Sequence, residues 1–212
     1  MIKRTLLLSL LLVTGSLQAQ DQAQGQAPDL EKAKQIIESL CVACHASDGN
    51  SQLSANPKIA QQHETYIYKQ LHDFKAWGDA KPVRDNPIMG SMVAALEESD
   101  MRALARYFSS QTLQPEQSKT DEATTVGLNI WRAGIASKGI PACAGCHGPA
   151  GAGIPAEYPR LGGQFAEYTE TQLRAFRDGT RANDPNSMMR SITLRMTDPE
   201  IRAISDYIAG LR

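Results

Sequence analysis

All four cysteines of this 212-residue chain fall into two copies of one pentapeptide, Cys41-Val42-Ala43-Cys44-His45 and Cys143-Ala144-Gly145-Cys146-His147, set 102 residues apart. Cys-x-x-Cys-His is the attachment pattern of a c-type haem. The two thiols add across the porphyrin vinyl groups as thioethers, and the adjacent imidazole then lies where it can bind the iron. Two copies with no cysteine left over predict a fold wrapped around two haem c groups. Cys41, Cys44, Cys143 and Cys146 are the expected thioether sulfurs, and His45 and His147 the expected iron ligands.

The motifs sit inside a longer repeat. At offset 102, Pro57-Lys58-Ile59-Ala60-Gln61-Gln62 pairs with Pro159-Arg160-Leu161-Gly162-Gly163-Gln164. Tyr66 then pairs with Tyr168, Gln70-Leu71 with Gln172-Leu173, and Phe74 with Phe176. A loop of different length follows, and the offset becomes 100, pairing Asn86-Pro87 with Asn186-Ser187, Ala103 with Ala203, and Tyr107 with Tyr207. The chain therefore divides into a leader at 1–19, a first domain at 20–110, a polar linker at 111–121 and a second domain at 122–212.

The pattern is helical throughout. Leu30, Ala33, Ile36, Ile37 and Leu40 form a stripe running into the first motif, with Asp29 placed to cap it. Tyr66, Ile67, Leu71 and Phe74 mark a middle helix, repeated by Tyr168, Leu173 and Phe176. Met101, Leu104, Ala105 and Phe108 mark the last helix of the first domain, after Ser99. Ile201, Ile204, Ile208 and Leu211 mark that of the second, with Thr197 as its cap and Pro199 in its first turn. Val126, Ile130 and Trp131 open the second domain. Short helices joined by long loops, in domains with little apolar core of their own, are expected to wrap a cofactor.

The start of the chain reads as an export signal. Lys3 and Arg4 precede the apolar run Leu6 to Val13, and Leu17-Gln18-Ala19 is a cleavage site before Gln20. The run is shorter than the roughly 20 residues a bilayer span needs. Export to a bacterial periplasm follows, where four cysteines would ordinarily pair as disulfides. Their spacing, with a His after each pair, argues for haem instead. Residues 20–110 carry 9 basic and 12 acidic side chains, and residues 122–212 carry 10 and 9. No basic stripe points to nucleic acid, and the asymmetry is a dipole able to orient the protein on a partner.

The second axial ligand separates a carrier from a catalyst. No spare histidine serves both halves, since His63 pairs with Phe165 and His72 with Arg174; both read as surface or loop residues. Methionine does better. Met92 pairs with Ile192, Met101 with Ile201, Met188 with Ile88 and Met196 with Leu96, the exchange expected of core side chains. Only Met89 and Met189 pair with each other, which makes them the expected axial sulfurs. His/Met ligation raises a haem's reduction potential. Pro57 and Pro159 each lie 12 residues after their histidine, and their carbonyls are candidates to accept the other imidazole N–H. The run Gly148 to Gly153 lacks the Lys-Ser/Thr of a phosphate loop and is expected to supply positive-φ backbone beside the porphyrin.

Taken together, both Cys-x-x-Cys-His motifs, each proline at plus 12, Met89 and Met189 before their final helices, Tyr158-Pro-Arg-Leu-Gly-Gly-Gln, Asn183-Asp-Pro-Asn-Ser-Met-Met-Arg-Ser-Ile and Ile204-Ser-Asp-Tyr-Ile resemble the di-haem cytochrome c4 family. The resemblance implies an all-α protein of two tandem class I cytochrome c domains related by a pseudo-twofold. It implies low-spin His/Met haems and a periplasmic electron carrier, often membrane-associated. Implied partners are a cytochrome bc1 complex and a terminal oxidase of the cbb3 type. Such domains usually carry a glycine and an aromatic where the first helix crosses the last. Gly127 and Trp131 fit in the second domain, but the first shows only Ala33, Ile36 and Ile37, so a looser or differently packed crossing is expected there.

Electron transfer is the leading function, since two ligands on each iron leave no open coordination site. A di-haem peroxidase would need an open iron and usually a distal His or Glu. The di-haem electron-accepting subunit of a flavoprotein dehydrogenase would look the same within this chain. Zinc binding by the Cys/His clusters would leave export and the paired methionines unexplained.

Overall fold

The computed structural model describes residues 29–119, 121–155 and 157–212; the expected leader lies outside them. Among the described residues there is no strand, only three isolated bridges, and ten α-helices in two matching sets. The first set is α1 (Leu30–Ile36), α2 (Val42–His45), α3 (Glu64–Phe74), α4 (Pro87–Val93) and α5 (Glu98–Ser109). The second is α6 (Asp121–Ala133), α7 (Ala144–His147), α8 (Ala166–Arg177), α9 (Met188–Thr193) and α10 (Asp198–Gly210). In each set the first helix and the middle helix both pack on the last.

Caps fix where the helices begin. Asp29 accepts the Lys32 N–H at 3.0 Å, the expected cap of α1. Glu97 and Asp100 form a capping box at α5, and Thr197 and Glu200 one at α10, so the start of α5 lies just before Ser99. The two cores are separate. Ala33, Ile37, Met101, Leu104 and Phe108 anchor the first, and Ile130, Trp131, Ile201, Ile204 and Ile208 the second.

The crossing of first and last helices differs between the halves. A Cβ at Gly127 would lie 2.4 Å from both the Ala203 carbonyl oxygen and Tyr207 Cβ, so α6 and α10 touch backbone to backbone. In the first domain Ala33 and Ile37 are 0% and 1% exposed and occupy the equivalent crossing. As expected, this crossing is packed differently: Ala33 and Ile37 stand four apart as Gly127 and Trp131 do, but with no glycine to bring the backbones together. The register slips because the second domain inserts a turn, held by reciprocal Ile135–Ile140 backbone bonds, between α6 and its motif. The first domain instead runs α1 through a π-helical segment, Ile37–Cys41, straight into α2.

A strap joins the domains. Between α5 and α6, Gln114 N–H donates to Asn50 at 2.7 Å and Glu116 N–H to the Gly163 carbonyl at 2.9 Å. Further on, Ser118 Oγ and Lys119 N–H both donate to Asp206, at 2.7 and 2.8 Å. The linker is thus bonded to both halves along its length.

Candidate functional site

Each pentapeptide folds as one helical turn, and each histidine closes it. His45 and His147 are 8% and 7% exposed. Their Nδ1 atoms lie 3.0 Å from the carbonyl oxygens of Pro57 and Pro159. Proline has no N–H and a fixed φ, so its carbonyl is held firmly. What brings these prolines back is a matched pair of turns. Gly49 O accepts the N–H groups of Ile59 and Ala60, and Gly151 O those of Leu161 and Gly162. Gly49 and Gly151 sit at φ 78° and 63°, and a Cβ on either would strike backbone nitrogen at 2.8 Å. The run expected to adopt positive φ does so at Gly148, Gly151 and Gly153.

Burial holds both imidazoles below the usual histidine range, partly offset by the proline carbonyls. Neutral rings donating from Nδ1 keep Nε2 as the free lone pair. Burial also pushes the Cys41 and Cys143 thiols up to about 11. Surroundings that disfavour a thiolate suit a neutral thioether. No group of three or more His, Cys, Asp and Glu converges on one point among the described residues.

The methionines divide differently from the sequence expectation. Met101 and Met196 are core, at 0% and 6% exposed. Met92 is not: it is 36% exposed, and Ile88, the counterpart of Met188, is 68% exposed. Both lie on the exposed face of the short helix α4. Met89 is half-buried in the first turn of α4 and packs on the same core as Cys41. Its N–H donates to Asn86 at 2.8 Å. Met189 is half-buried in α9, where its carbonyl accepts Thr193 Oγ1 at 2.8 Å. The remaining histidines lie elsewhere: His63 precedes α3, and His72 stacks on Trp77.

Between the domains lies a polar cluster that sequence reasoning missed. Arg84 reaches across to Tyr168 Oη (3.3 Å) and Gln172 (2.7 Å), and bonds its own Gln70 at 2.7 Å. Arg181 mirrors it, reaching Tyr66 Oη (2.9 Å) and Gln70 (3.2 Å) and its own Gln172 (2.8 Å). Each guanidinium lies over its own helix-end ring, Arg84 on Phe74 and Arg181 on Phe176. Their N–H groups bond the equivalent carbonyls of Asp73 and Ala175. The arginines stand 97 apart in the sequence, inside the loop whose length differs, so neither offset aligns them. The signal was present in the matched Tyr, Gln and Phe pairs around them.

Both arginines are under a tenth exposed, and neither forms an ion pair among the described residues. Burial alone would raise the Tyr66 phenol, yet Arg181 and Arg84 outweigh it and bring it below its ordinary value. With two cysteine sulfurs and one Nε2 lone pair at each motif, the donor set fits two haem c groups.

The comparisons agree with this geometry. The cytochrome c family model matches residues 30–112 and 140–212. A cytochrome c4 of Thiocapsa roseopersicina is 41% identical over 89% of this chain and 96% of its own. A thiosulfate dehydrogenase electron acceptor of Stutzerimonas stutzeri is 36% identical over 92% of this chain and 89% of its own. The crystal structure of reduced recombinant cytochrome c4 from Pseudomonas stutzeri superposes with a TM-score of 0.81 at 36% identity, covering 88% of this chain and all of that one.

Proposed function

The chain belongs to the cytochrome c family, in its di-haem cytochrome c4 branch, and on that premise we propose that it is a periplasmic carrier passing electrons from a cytochrome bc1 complex to a terminal oxidase of the cbb3 type. Each haem, when bound, supplies an iron that takes up and releases one electron. The chain's own residues keep that change cheap in reorganisation. Cys41 and Cys44, and Cys143 and Cys146, would hold each porphyrin through thioethers. His45 and His147, their rings held by Pro57 and Pro159, would offer Nε2 to the iron. Met89 and Met189 would offer the thioether sulfurs. A soft thioether favours Fe(II) and raises the potential.

The observation that carries this reading is the repeat, which pairs a ligand-type methionine, a buried histidine and its proline in both halves. Among the described residues no helix is long and apolar enough to cross a membrane. The export leader and peripheral membrane association belong to the same proposal.

Mass spectrometry of the exported protein is expected to find two covalent haems. A redox titration is expected to resolve two one-electron steps, because the domains differ in charge. A mature chain with no added porphyrin would overturn the reading, and a strong high-spin ferric signal would return the open-iron enzyme to consideration.

A second reading is favoured by the relative named as an electron acceptor: this chain takes electrons from a dehydrogenase. Rapid reduction by a purified thiosulfate dehydrogenase, with no turnover at a terminal oxidase, would select it.

A further inference from the structure

The carbonyl of Pro57 and the N–H of Lys58 belong to one peptide unit. On its oxygen side that unit meets His45 Nδ1 at 3.0 Å. On its nitrogen side it donates to Gln164 Oε1 of the other domain, also at 3.0 Å. Gln164 Nε2 closes the clamp on the Lys58 carbonyl at 2.8 Å. The mirror arrangement is complete. The peptide of Pro159 and Arg160 meets His147 at 3.0 Å and donates to Gln62 Oε1 at 2.9 Å, while Gln62 Nε2 bonds the Arg160 carbonyl at 2.9 Å. Each buried imidazole is thus one peptide away from a side chain of the opposite domain.

We propose that Gln164 and Gln62 are positioning residues that set the hydrogen-bond strength of the axial histidine across the interface: Gln164 for His45, and Gln62 for His147. This rests on the reading of those histidines as iron ligands. The physical step is amide polarisation. A peptide whose N–H is bonded carries more negative charge on its oxygen, and chained hydrogen bonds strengthen one another. A stronger acceptor at the proline oxygen draws the imidazole proton further, makes the ring more basic toward its metal, and favours the oxidised state.

The arrangement has a crossed signature. Gln164→Leu in the intact di-haem protein is expected to move the His45 Nδ1–H resonance toward that of a weaker hydrogen bond and to raise the potential of the first domain's haem. The His147 resonance and the second haem are expected to stay in place. Gln62→Leu is expected to do the converse. Gln164→Glu loses the donor to the Lys58 carbonyl but offers Lys58 N–H a charged, stronger acceptor, so the His45 resonance is expected to return to the parent position or pass it. It also covers the case in which the leucine variant fails to assemble.

Potentials are followed haem by haem through assigned haem methyl signals, with small-angle scattering to verify that the domains stay docked. Equal shifts at both haems, a shift confined to the substituted domain, or no shift in a docked protein would each overturn the proposal. If the parent protein's His45 and His147 signals lack the displacement of iron-bound imidazoles, the ligand reading itself fails and the proposal falls with it.

Discussion

Replacing Met89 with alanine is expected to remove the weak far-red sulfur-to-iron absorption of one haem and leave that of the other intact. The same change at Met189 is expected to act on the second haem alone. The potential of the altered haem should fall by on the order of 0.1 V or more, within the roughly 0.8 V that axial ligands command. The direction follows from the thioether, which stabilises Fe(II) relative to Fe(III) and is lost with the side chain. Location supports the choice at the first site. Met89 and Cys41 both pack on the first core, and Asn86 pins the Met89 backbone. Met92→Ala and Met188→Ala serve as controls and should leave the band unchanged. Survival of the band in both Met89→Ala and Met189→Ala would remove these two residues from the coordination sphere.

A second large effect is expected from Gly127→Ala. The new methyl would lie 2.4 Å from the Ala203 carbonyl oxygen and from Tyr207 Cβ. Neither is the loose end of a flexible side chain, so α6 must lift off α10. Overpacking of this kind costs about 1–3 kcal/mol and sometimes more, against about 1 kcal/mol gained in helix propensity. The net loss should be about 1 kcal/mol, which lowers the melting point of a domain this size by roughly 6 °C. Haem-band absorbance on heating should show the second domain melting first, with the first domain's transition unmoved. Ala33→Gly, at the equivalent crossing, tests the contrast. It relieves no clash and should cost the roughly 1 kcal/mol of a helix glycine. Equal melting of Gly127→Ala and the parent would mean that the two helices can part without penalty.

Much of this architecture was readable before any coordinates. Pattern and caps announced the helices, because Asp29 and Thr197 act locally and leave a local trace. The repeat exposed the domain pair, and the proline spacing led to the carbonyls that meet the imidazoles at 3.0 Å. What escaped was whatever depended on unequal loops or on contacts between halves. An inserted turn after α6 threw Ala33 and Gly127 out of register, so their equivalence at the crossing went unseen. Arg84 and Arg181 fell inside a loop of changed length. Gln62 and Gln164 were matched in the repeat but suggested no role, since a side chain gripping a distant backbone carries no periodicity. Met92 shows a related limit: exchange with isoleucine reports an apolar setting, which an exposed helix face provides as well as a core does.

The junction between the domains holds one more implication. Gln62 and Gln164 each grip the other half's backbone, and Arg84 and Arg181 cross over each other in the same fashion. A half-turn carries every one of these bonds onto its counterpart. A surface that is its own complement can be assembled from two identical copies, so a single-domain ancestor already possessed a complete mating face. Fusing two such genes would then have needed only a tether, after which the copies were free to diverge in charge while the seam stayed as it was.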